Sequence, residues 1–139
     1  MVRTFNAGAL LLAGALLAAG CDNTIDNPTG PAPTPEMKTS TFEGSINVNG
    51  AATHTFDVSA NGTVTASLTE ILPDPAVAVG FALGTWNGTN CQLVITKDDA
   101  IQGQALIGNS SGVGTLCVRI HDTGRLTARL TYKVTVNHP

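Results

Sequence analysis

From Thr41 to the C-terminus, apolar residues recur at every second position, and no stretch sustains a helical period. Period two is the mark of a strand with one buried face, because successive side chains point to opposite sides of the pleat. Phe42 to Val48 is a first candidate strand, and His54, Phe56 and Val58 share one face of a second. Val64, Ala66 and Leu68 line a third, opposed by Thr63, Thr65, Ser67 and Thr69. Val77, Val79, Phe81 and Leu83 form one face of a fourth, and Ala78, Gly80 and Ala82 leave its other face nearly bare. Residues that small let another layer or a loop approach closely. Leu93 and Ile95 continue after a turn at Trp86-Asn87-Gly88-Thr89-Asn90, and Ala100 to Ile107 reads as a further strand. Leu116, Val118 and Ile120 alternate with Cys117, Arg119 and His121. Leu126 to Val136 alternates most cleanly, with Arg125, Thr127, Arg129, Thr131, Lys133 and Thr135 on the opposite face. Asn61-Gly62 reads as a tight turn, and Pro73-Asp74-Pro75 as a break. About eight short strands with turn signals every eight to twelve residues imply an all-β fold, a β-sandwich or barrel.

The N-terminus is patterned differently. Arg3 is followed by an apolar stretch from Ala7 to Ala19 and then by Gly20-Cys21. A positive start, a short apolar run and small residues before a cut define an export leader, and the run is too short to span a bilayer. Leu17-Ala18-Ala19-Gly20-Cys21 resembles the lipobox of bacterial lipoproteins, with Ala18 where Leu is usual. The resemblance implies cleavage after Gly20 and a diacylglyceryl thioether on Cys21. It places the protein in the cell envelope, periplasmic or at the cell surface, held to a membrane by its N-terminal lipid. An ordinary leader with an incidental cysteine is the alternative. In some bacteria Asp after the lipidated Cys favours the inner membrane, and Asp22 stands there; the rule varies between phyla, so the choice of membrane stays open.

The expected organisation is a signal peptide over 1–20, a lipidated Cys21 with a linker over 21–39, and a folded domain over 40–139. Four of the seven prolines, Pro28, Pro31, Pro33 and Pro35, lie in the linker. Such a segment buries too little apolar surface to fold and is expected to be disordered, a semi-extended stalk.

With Cys21 assigned to lipid, Cys91 and Cys117 remain as an even pair in an oxidising compartment. A structural disulfide is the leading expectation, worth about 3.5 kcal/mol in the chain-entropy model. Two free buried thiols or a redox pair are the alternatives, although no CxxC spacing exists. Cys117 has the parity of Arg119 rather than of Leu116 and Val118. Its sulfur is therefore expected on an outer face between neighbouring strands, unless a bulge turns it inward.

The order of elements from Phe42 to Pro139 resembles the bacterial pre-peptidase C-terminal domain. The pieces that carry the likeness are Phe56-Asp57-Val58, Gly62-Thr63-Val64, Phe81-Ala82-Leu83-Gly84, Gly114 to Ile120, and Tyr132-Lys133-Val134-Thr135-Val136. The resemblance implies a jelly-roll-like antiparallel sandwich acting as an accessory or adhesion module. Some relatives bind calcium near the domain start, where Glu43 and Asp57 fall here.

Candidate chemistry is sparse. Seven Lys and Arg face ten Asp and Glu over the chain, which argues against nucleic acid as a partner. Gly108-Asn109-Ser110-Ser111-Gly112 matches G-x-S-x-G, but the residues after it read as a strand rather than the helix a nucleophile elbow needs. It is therefore read as a hairpin loop, with a small serine hydrolase using Ser110 and His121 as the alternative. His54, His121 and His138 lack ligand spacing, and Asp98-Asp99 is read as a solvated turn rather than a cation site. Trp86, beside Asn87, is the one Trp, able to stack on a sugar or anchor a partner. No catalytic set and no cofactor are expected, calcium being the one candidate ion. The expected role is a non-catalytic binding or structural module for an envelope or extracellular ligand, with a calcium-stabilised adhesion or carbohydrate-binding module as a further alternative.

Overall fold

A computed structural model describes Gly30, Pro31 and residues 33–139. The leader, Cys21 and most of the linker lie outside the described residues.

Eight strands follow one another: β1 (Lys38–Ile46), β2 (Ala51–Val58), β3 (Asn61–Leu72), β4 (Val79–Trp86), β5 (Cys91–Ala100), β6 (Ala105–Ser111), β7 (Gly114–His121) and β8 (Leu130–His138). They form two four-stranded antiparallel sheets, ordered β1-β8-β3-β6 and β2-β7-β4-β5. This order is that of a jelly roll: the chain folds back at the β4–β5 turn, and the two halves pair outward from it. Among the described residues there is no helix.

The core lies between the sheets. Val64, Ala66 and Leu68 of β3 and Val134 and Val136 of β8 face Val79 and Phe81 of β4 and Val118 and Ile120 of β7, all fully buried. These are the apolar faces of the period-two pattern, and their β-branched side chains suit the pleat. Two aromatic rings and a histidine close the β1–β2 side: Phe42 stacks on His54 at 4.9 Å, and Phe56 tilts against Phe42 at 6.4 Å.

Four local expectations are corrected. β1 starts at Lys38, ahead of Phe42, because Lys38 and Thr39 pair with His138 and Asn137 at the other end of the chain; no local signal announces such a partner. Asn61-Gly62 is not a turn but opens β3 opposite Ser111 and Ser110. A tight hairpin needs consecutive strands in one sheet, and β2 and β3 belong to different sheets. The strand expected over Ala100–Ile107 is a turn at 101–104 flanked by β5 and β6. Gly103 there has φ +90°, and its N–H donates to the Leu68 carbonyl. Finally, Leu126 is buried in a loop rather than in the last strand. Asp122 organises that loop by accepting hydrogen bonds from the N–H groups of Gly124, Arg125 and Leu126.

Candidate functional site

The cysteines are joined: Cys91 and Cys117 form a disulfide with Cα atoms 5.8 Å apart. Cys117 keeps the parity of the sequence and faces outward, since it pairs with Gly84 and lies outside the core cluster. It is nonetheless fully buried. The strands it links are not neighbours but flank β4 on either side. Two strand spacings amount to about 9.6 Å, so the start of β5 must fold over the outward side of β4. Gly84 permits this. A Cβ there would collide with the Gln92 carbonyl, and the β4–β5 register slips between Leu83 and Gly84. At Gly80 the His121 ring fills the space a side chain would need. The bare face of the fourth strand is thus covered, by backbone at one end and by an imidazole at the other.

The acidic residues proposed for calcium are not gathered. Glu43, on the outward face of the β1 sheet, meets the Lys133 ammonium at 2.9 Å and raises its pKa by that contact. Asp57, on β2 in the other sheet, accepts a 2.7 Å hydrogen bond from Thr115 Oγ1. Asp98 lies 3.9 Å from His121 Nε2. Asp99 is 3.0 Å from Lys97 Nζ, whose hydrogen bond and charge hold its carboxyl below the ordinary range. Among the described residues no group of three or more His, Cys, Asp or Glu could hold a metal ion.

Ser110 is not on a loop. It sits in β6, 8 % exposed, and its hydroxyl faces the carbonyls of Ala60 at 2.8 Å and Gly62 at 3.2 Å. The hairpin expectation fails because β6 extends to Ser111, leaving only Gly112-Val113 to cross to β7 in the other sheet. His121 lies on the outward face of that other sheet against Gly80. The structure therefore does not bring Ser110 and His121 together.

Two histidines that the sequence left unassigned are structural. His54 Nε2 and the Tyr132 hydroxyl are joined at 2.7 Å between the sheets, and burial pushes the His54 pKa down and the Tyr132 pKa up. His138 is 3 % exposed, bonds Ser40 Oγ at 2.9 Å and packs on Phe56. Their inward parity was legible, but their partners lie in strands far away in the chain.

Open surface suited to a partner collects around β6. Between β5 and β6 runs an apolar groove of about 130 Å³, lined by Val64, Leu83, Ile95 and Leu116 and rimmed by Val94. Beyond Asn109 a wider, more polar groove of about 310 Å³ is bounded by Trp86, Ser111, Val113 and Thr115. Trp86 is half-buried at the end of β4. The Asn87 side chain is spent on its own turn, its Oδ1 accepting from the N–H groups of Thr89 and Asn90. Trp86 is thus held at the groove wall, whereas Asn87 shapes the loop. Such an arrangement can bury an apolar group or stack a ring; it offers no paired acid and base.

No family model matches the chain, and no curated protein matches it either.

Proposed function

We propose that this protein is an exported lipoprotein, tethered through Cys21 to a membrane of the cell envelope, that presents a non-catalytic jelly roll as a binding module. The placement is carried by the leader that ends in Leu17-Ala18-Ala19-Gly20-Cys21. The Cys91–Cys117 disulfide supports an oxidising compartment. The binding role is supported by the dispersal of the polar side chains: Ser110 is tied to the Ala60 and Gly62 carbonyls in one sheet, His121 lies on the outward face of the other against Gly80, and apolar surface gathers beside Trp86 and β6. The jelly-roll order also supports kinship with the pre-peptidase C-terminal domain, whose motifs lie here on β2, β3, β4, β7 and β8.

Mass spectrometry of the protein from its native envelope tests the anchor. The expected N-terminal peptide starts at Cys21 and carries a diacylglyceryl group; an unmodified Cys21 or a retained leader refutes it. A serine-directed phosphonate probe tests the binding role. No labelling of Ser110 in the oxidised, folded protein is expected, and labelling that disappears in His121→Ala would establish a hydrolase instead.

A further inference from the structure

We infer that β6 is the pairing edge of a homodimer, in which the β6 strands of two copies lie antiparallel across a two-fold axis and join their sheets. Four strands end the two sheets: β1, β6, β2 and β5. A sheet edge presents unpaired N–H and C=O groups, and soluble proteins blunt such edges with charge, proline or bulges. β1 carries Lys38 and Glu43, β2 carries Asp57, and β5 carries Lys97, Asp98, Asp99 and a register slip. β6 carries none of these; from Ala100 to Val118 the chain has no Asp, Glu, Lys, Arg or Pro. Its pairing with β3 is regular from Asn61↔Ser111 to Ser67↔Ala105.

Exposed apolar side chains also flank this edge. Ile107 is 66 % exposed on β6, Val94 is 70 % exposed across the adjoining groove, and Val113 is 85 % exposed just beyond the strand. Solvent-exposed apolar side chains grouped at one edge mark an interaction surface.

A second copy is the occupant that these features select. An isologous contact satisfies both exposed edges at once, and a strand without charge opposes no like charges in any antiparallel register. The chain's own linker is a poor competitor, since Pro28, Pro31, Pro33 and Pro35 remove the N–H groups a ladder requires.

Sedimentation velocity on the full chain in mild detergent, at tens of micromolar protein, tests this. The expected species is a dimer. Ile107→Lys and Asn109→Lys, both at exposed outward positions of β6, should each weaken dimerisation at least tenfold while leaving the β-sheet circular dichroism intact. Val48→Lys, at an exposed apolar site outside β6, should leave the dimer unchanged. Backbone amide exchange over residues 105–111 should also slow as protein concentration rises. A monomer at this concentration, a dimer that tolerates both lysines on β6, or one that Val48→Lys dissolves equally, would overturn the assignment.

Discussion

His54 and Asp122 show how single side chains tie distant parts of the chain together, His54 between strands and Asp122 between two loops, and each does so in one protonation state. Burial between the sheets depresses the His54 pKa below 6.5, so the unfolded chain binds a proton more readily than the folded one. Stability from this residue is therefore full above the unfolded pKa and declines as pH falls below it. We expect Tm to drop between pH 7 and pH 5, and the drop to be smaller in His54→Gln, as measured by thermal melts across that range. Asp122 has the opposite ionisation chemistry and the same direction. Its carboxylate is held below the ordinary range by backbone N–H donors, that of Asn49 first, then those of Leu126, Arg125 and Gly124. This contribution is present above the unfolded carboxyl pKa and is lost as pH falls through the depressed one. Asp122→Ala should lower Tm at pH 7 by several degrees. Asp122→Asn should lower it less, because one amide oxygen retains part of the acceptor set.

Strand β4 carries the clearest test at the level of the element. Gly84 and Gly80 both lack room for a Cβ, but for different reasons. At Gly84 the obstacle is the Gln92 backbone, which cannot rotate away; at Gly80 it is the His121 ring, which can. Gly84→Ala should therefore cost about 2 kcal/mol or more, within the range for overpacked sites, and Gly80→Ala distinctly less in a denaturant titration. The same strand shows what sequence can and cannot disclose. The bare face of Ala78, Gly80 and Ala82 was legible as a site of close approach, and the outward parity of Cys117 was legible too, whereas Gly84 continues that face only in the structure. That the approaching object is the start of β5, carrying Cys91 across β4 to Cys117, was not, because a register slip leaves no periodic trace. Asn61-Gly62 and the Ala100–Ile107 run misled for a related reason: local turn and strand signals do not say which sheet the next strand joins. The inward faces of β3, β4, β7 and β8 were plain from alternation alone. Of the candidate site, Trp86 stood out as a lone large ring, whereas the grooves beside it depend on which strands end each sheet.

Across the whole molecule, the disulfide closes a loop from the start of β5 through β6 into β7, spanning a separation of 26 residues. Loop-closure entropy puts its contribution at about 3.5 kcal/mol. Replacing both cysteines by Ala should lower the free energy of unfolding by about 3 kcal/mol in urea, without changing the native sheet spectrum. Strand order has a further consequence for how the molecule comes into being. β8 lies between β1 and β3 in the first sheet, yet it is the last of the eight described strands, Leu130–His138. A polypeptide emerging from the ribosome N-terminus first can assemble β4 with β5, and then β3 with β6. β1 has no bed to lie in until β8 clears the exit tunnel. The first sheet therefore closes late, after β8 has been made, even though its β3–β6 half and the β4–β5 hairpin can pair earlier.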